Sequence, residues 1–202
     1  MIIIDKFKMA YLHINKTAGT SIRGYFQEHA GPENVKQMGP THGPLAPNIR
    51  FMGNRFHDYD ILTSIRNPMA RVVSMYAFRR KRWSEGDKSK TTKAAARMSI
   101  KKWFAEDVSV SDRLTDLSIT DSILVNGELP PNVHTVAVET LQNDMFKFCR
   151  NVLKWHKIKP VPHLNKTQFA LQHYNRWMDD ELKQMIYEWD QWVIDEYYPW
   201  IM

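Results

Sequence analysis

The feature that most constrains this chain lies near its start. The apolar run Met9-Ala-Tyr-Leu-His-Ile14 gives way to Asn15-Lys-Thr-Ala-Gly-Thr20, and then to Ile22, Tyr25 and Phe26 at helical spacing. A short buried strand, a turn containing glycine and a helix closing at Gly31-Pro32 are how an α/β nucleotide fold begins. Where such a helix starts, its first backbone N–H groups lack partners and, with the helix dipole, form a place for an anion. Lys16-Thr17-Ala18-Gly19-Thr20-Ser21 occupies that place. Gly19 leaves room for a phosphate to approach the backbone, Thr20 and Ser21 add hydroxyl donors, and Lys16 adds a mobile positive charge. A kinase-type loop would read G-x-x-x-x-G-K-[ST]. Here the lysine precedes the glycine and no glycine opens the loop, so the physics is shared while the ATPase signature is absent. Taken alone, K-T-x-G-T equally fits an ordinary strand–helix turn with a surface lysine.

Further strands and helices follow in alternation. Residues 31–57 are rich in Gly, Pro and Asn and read as a long loop, a kind that tends to be functional in a compact domain. Asp60-Ile-Leu-Thr-Ser-Ile65 reads as a second buried strand. Pro68 suits the first turn of a helix, and Met69, Val72, Val73 and Tyr76 give that helix one apolar face. Lys93–Glu106 reads as helical and Asn132–Val138 as a third buried strand. Leu141, Met145, Phe148 and Val152 mark the next helix. After the Pro160–Pro162 break, Leu182, Met185, Ile186, Trp189 and Val193 mark a C-terminal one. A chain of 202 residues can bury one core unaided, and 43% hydrophobic residues with 12% aromatics is a globular composition. The expected fold is α/β: a single domain over residues 1–202, with a central parallel sheet flanked by helices.

Two segments carry a resemblance to a known family. His13-Ile-Asn-Lys-Thr-Ala-Gly-Thr-Ser-Ile22 resembles the 5′-phosphosulfate loop of sulfotransferases, especially the carbohydrate-type and bacterial branch, with Asn15 where the family often has proline. Arg66-Asn-Pro68-Met-Ala-Arg71-Val-Val-Ser74-Met-Tyr76 resembles the family's 3′-phosphate motif, with Asn67 in place of the usual aspartate. Both follow strands, where a doubly wound sheet places its ligands. The resemblance implies a P-loop-NTPase-like sulfotransferase fold and 3′-phosphoadenosine 5′-phosphosulfate as sulfuryl donor. It implies that Lys16, Thr17, Ala18, Gly19, Thr20 and Ser21 hold the donor's 5′ side, through backbone amides, hydroxyls and the lysine. Arg66 and Ser74 would meet its 3′-phosphate, by guanidinium fork and by hydroxyl. Arg71, one turn from Ser74, either lines the same face or supports the loop. Val136-Ala-Val-Glu139-Thr-Leu141 is similar to a family strand ending, with Glu139 as a helix-cap carboxylate. Pro162-His163-Leu-Asn165-Lys166-Thr167 is similar to a late loop that closes over the donor, which makes Lys166 and Thr167 donor contacts.

Sulfuryl transfer needs a base for the acceptor and a positive charge beside the departing phosphate. Histidine suits the first role because its pKa lies near neutrality, and Lys16 suits the second. Eight histidines compete. His42 leads, because Thr41-His42-Gly-Pro44-Leu45-Ala-Pro47 resembles the region that carries the family's base and falls between the first two strands; the competing reading is a surface loop histidine. His13 reads as a strand-end packing residue. A metal is not demanded, and no clustered ligand motif appears.

Net charge is +6, but residues 79–102 hold ten Lys/Arg against Glu85 and Asp87, so one segment carries +8 and the remainder −2. A charge run of this kind is either a solvated face or a grip on a polyanion, with Trp83 and Trp103 available for stacking. The single cysteine, Cys149, excludes an internal disulfide framework, and no apolar run approaches the ~18 residues needed to span a bilayer. The expectation is a cytoplasmic enzyme that binds neither membrane nor nucleic acid. Its acceptor would be an acidic glycan or a small hydroxyl compound, sugar hydroxyls first. A kinase or NTPase and a basic nucleic-acid-binding module are the alternatives.

Overall fold

The computed structural model describes residues 1–110, 116–162, 164 and 171–202, with 171–173 described in backbone only. They divide into two units, Met1–Arg66 with Asp121–Lys166 and Asn67–Thr120 with Thr167–Met202.

The first unit holds one sheet. Its strands are β1 (Ile2–Ile4), β2 (Met9–Leu12), β3 (Lys36–Gln37), β4 (Asp60–Ile65) and β5 (Val133–Ala137), in the order β3-β1-β2-β4-β5. The three expected strands, β2, β4 and β5, pair in parallel, with Tyr11 opposite Leu62 and Leu62 opposite His134. Two further strands extend this parallel centre with antiparallel pairing. Only four residues join β1 to β2, too few for a crossover, so they form a hairpin closed by a 3₁₀ turn at Asp5–Phe7 and a left-handed Lys8. At three and two residues, β1 and β3 are too short to leave a period in the sequence.

Helices α1 (Gly19–Ala30), α2 (Leu45–Met52), α3 (Arg55–Asp58) and α8 (Leu141–Asn151) belong to the same unit. Ile22, Tyr25 and Phe26 of α1 join Met145, Phe148 and Cys149 of α8 over Ile2, Ile4, Met9, Tyr11, Leu62 and Val136 of the sheet. α1 ends at Gly31, whose φ of 92° suits glycine and whose N–H closes on the Gln27 carbonyl. The segment 31–57 is less of a loop than its composition implies. Leu45, Asn48 and Met52 are buried along α2, and the polar Asn48 in that series hides the apolar period.

The second unit contains α4 (Pro68–Ser84), α5 (Lys90–Arg97), α6 (Ile100–Trp103), α9 (Asp180–Trp189) and α10 (Gln191–Tyr197). The short α7 (Ile119–Ile123) carries the chain from the second unit back to the first. Val72, Val73, Tyr76, Trp103, Phe104, Leu182, Ile186 and Ile194 form its core. The helix expected over Lys93–Glu106 breaks at Met98-Ser99, where Ser99 Oγ accepts the Lys102 N–H and starts α6. The C-terminal helix likewise breaks at Asp190, whose buried side chain is engaged elsewhere.

Candidate active site

The anion loop joins β2 to α1. Lys16 and Ala18 both adopt left-handed backbone, φ 68° and 66°. For side chains larger than glycine this costs about 1–2 kcal/mol per residue, so the surroundings must hold the loop in place. Thr17 is fully buried beneath it. Its hydroxyl donates to the Ile14 carbonyl at 2.9 Å, and it lies 2.9 Å from Ser64 Oγ, itself 2.7 Å from the Tyr11 hydroxyl. Each hydroxyl has one proton, so the direction is fixed: Tyr11 donates to Ser64, Ser64 to Thr17, and Thr17 to the backbone. From the end of β4, Arg66 Nη1 donates to the Lys16 carbonyl at 2.9 Å. Such charge-assisted bonds contribute about 1.5–3 kcal/mol. The Ala18 carbonyl accepts from Ser21 and Ile22, and no side chain caps the start of α1. The loop is thus pinned from below, while the N–H groups that open α1 are left to a ligand.

Expected donor contacts therefore divide. Thr20 is exposed and Lys16 and Ala18 are partly so, whereas the Thr17 hydroxyl is a buried anchor that leaves only backbone to a ligand. Ser21 Oγ bonds to the backbone of Leu164, accepting its N–H at 3.1 Å. This brings Leu164 onto α1; His163, Asn165, Lys166 and Thr167 lie outside the described residues. Gly19 also makes room for a neighbouring side chain. A Cβ there would fall 1.7 Å from His13 Nε2, because the His13 ring lies directly against that residue.

His42 stands beside this loop. Its Nδ1 is 3.3 Å from the His13 carbonyl, which can only accept, so Nδ1 carries the proton and Nε2 presents its lone pair. The rings of His42 and His13 meet edge to face, centroids 4.3 Å apart. Burial holds the His42 imidazole below its usual pKa, and the Lys16 ammonium adds to the effect. Asn48 braces the turn that follows, donating to the Pro44 carbonyl at 2.7 Å and to that of Gly43 at 3.3 Å.

In the second unit, Asn67 Oδ1 caps α4 by accepting the Ala70 N–H, the task an aspartate would perform there, and Nδ2 donates to the Tyr174 hydroxyl. Ser74 lies on α4, 4% exposed. Arg71 is 1% exposed, donates to the Leu117 carbonyl and lies 4.0 Å from Asp190, which settles its two readings in favour of support.

A model of the sulfotransferase family matches residues 1–188 of this chain. The chain belongs to the sulfotransferase family. No curated protein and no solved structure matches it. Family membership makes sulfuryl transfer the general chemistry of this sulfotransferase-family chain.

Several groups that shape the sulfotransferase loop were not singled out in the sequence. Tyr11 and Ser64 read as ordinary strand residues, and only their parallel pairing puts both hydroxyls on one face under Thr17. Asp144 of α8 ties the end of β5 to that helix, its carboxylate accepting the Ala137 N–H and the Thr140 hydroxyl. Asp190 accepts the N–H groups of Ile119 and Thr120 and the Thr120 hydroxyl. No helix among the described residues is long and apolar enough to cross a membrane.

Proposed function

We propose that this chain transfers a sulfuryl group from 3′-phosphoadenosine 5′-phosphosulfate to an acceptor hydroxyl, with His42 as general base and Lys16 beside the departing phosphate. The observation that carries this reading is the setting of His42: its Nδ1 tied to a backbone carbonyl, its Nε2 left to accept, burial holding its pKa below the usual value, and the Lys16 ammonium acting in the same direction. A phosphate group suits the cradle, where two left-handed residues precede the uncapped start of α1. Lys16, the backbone of Thr17, Ala18 and Gly19, and Thr20 and Ser21 would hold the donor's 5′ end. On the strength of the motif, Arg66 and Ser74 would take its 3′-phosphate, and Lys166 and Thr167 would close over it. Bound there, the donor supplies the S–O bond that breaks as the acceptor oxygen bonds sulfur, its proton passes to His42 Nε2 and adenosine 3′,5′-bisphosphate departs. Lys16 offsets the charge that grows on the leaving phosphate.

For the acceptor we propose an acidic glycan, or a small hydroxyl compound as the second class. Support for the glycan comes from Arg80, Lys88, Lys90, Lys93 and Arg97, which are exposed and have no carboxylate partner among the described residues. Trp103, offered by the sequence for base stacking, is fully buried, which weakens a nucleic-acid partner.

Calorimetry tests the donor assignment. Adenosine 3′,5′-bisphosphate should bind more tightly than ATP or AMP without added metal, and Lys16→Ala should weaken it. Equal or tighter binding of magnesium-ATP would sink the reading.

A further inference from the structure

His13 closes the strand before the anion loop, and a sequence reading leaves it as packing. Its ring is held on three sides. Tyr11 lies near-parallel, centroids 5.9 Å apart, and is itself fixed through Ser64. Gly19 gives way to the ring at the first position of α1. The third side is the His42 imidazole.

We propose that His13 is a positioning residue for the base: its ring is the wall that fixes the His42 imidazole with Nδ1 on the backbone carbonyl and Nε2 free to take a proton. This rests on the reading of His42 as base. The carbonyl alone does not define the ring's direction, because a 3.3 Å bond tolerates rotation of the side chain about it. An edge-to-face neighbour at 4.3 Å removes that freedom. The wall also sets the electrostatics. The groups facing the pair are the two imidazoles themselves, Lys16, Arg23 and the Met1 amino group, every one a cation when protonated. Burial first, then His42, hold His13 down to about 3, so the wall is neutral near neutral pH. A charged residue at position 13 would repel the imidazolium that forms on His42 during transfer. A neutral ring does not.

The test reads His42 directly by imidazole ¹⁵N and ¹³C resonances across pH, beside turnover and binding of adenosine 3′,5′-bisphosphate. In the native protein His42 should show the Nδ1–H tautomer. In His13→Ala the ring should turn: the tautomers mix, the titration midpoint rises toward the free value, and kcat falls roughly 10- to 100-fold while nucleotide affinity stays within about twofold. His13→Phe, which restores a neutral wall, should recover the tautomer and most of kcat; His13→Asn replaces the alanine variant if that protein does not fold. An unchanged His42 tautomer and midpoint in the alanine or asparagine variant overturns the proposal, whatever happens to turnover. Near-native turnover by His42→Ala would instead overturn the base reading, and the resonances would still decide whether His13 orients that ring.

Discussion

At the scale of single residues, burial shifts how the groups of the site titrate. His13 is held at about 3 when folded, against about 6.5 for a free histidine. Between those values the unfolded chain takes up a proton that the folded chain refuses. Stability is therefore intact above pH 6.5 and is lost as the pH falls toward 3, by at most about 1.4 kcal/mol per pH unit for this one group. His42, lowered in the same direction, adds to the loss near the top of that window. His13→Phe should flatten the dependence: denaturant unfolding between pH 7 and 4 should show a shallower fall in the variant than in the native protein. Identical slopes would mean that His13 protonates freely in the fold.

Among the elements, α4 shows how a basic stretch divides between core and surface. Arg79 is 8% exposed, bonds to Asp107 at 3.0 Å and to Asp116, and lies over the Trp103 ring. Arg80, one residue on, faces solvent. Arg79→Ala would remove a cation bonded to the buried Asp116 carboxylate, and should cost about 3–5 kcal/mol in thermal or denaturant unfolding. Changing Arg80, Lys88, Lys90, Lys93 and Arg97 to glutamine should cost no more than about 0.5 kcal/mol each. With an anionic polymer as acceptor, those five changes should raise its KM at low salt and matter less at high salt. A small Arg79 effect would overturn this division. The sequence could not supply it, because the carboxylates that distinguish Arg79 lie 28 and 37 residues away. Legible features were local ones: the apolar stripes of α1, α4 and α8, the Asn67-Pro68 start of α4 and the Gly31 stop of α1. The pinning chain under the loop needed the parallel register of β2 and β4, which no single segment records.

Taken as a whole molecule, the chain is interleaved: each unit is assembled from two separated segments. The first core draws on Ile22 and Val161, and the second on Val72 and Ile194. On this basis we propose that residues 1–202 behave as one cooperative domain. Far-UV circular dichroism should trace a single unfolding transition that coincides with tryptophan fluorescence, since Trp155 reports on the first core and Trp103 on the second. Two separated transitions would show instead that each unit melts independently.

Interleaving also imposes a timetable on biosynthesis. Strand β4 ends at Ile65, and the strand that covers its open edge begins only at Val133. At ~5–20 residues per second a ribosome needs roughly 3–14 s to make the intervening segment. For that interval β4, whose last five residues are buried in the finished protein, carries an unpaired row of backbone donors and acceptors on the emerging chain. An exposed apolar edge is a template for pairing with another chain. The parallel order that sets Ser64 beneath Thr17 thus leaves the edge of β4 on the nascent chain open until Val133 and the residues after it have been made.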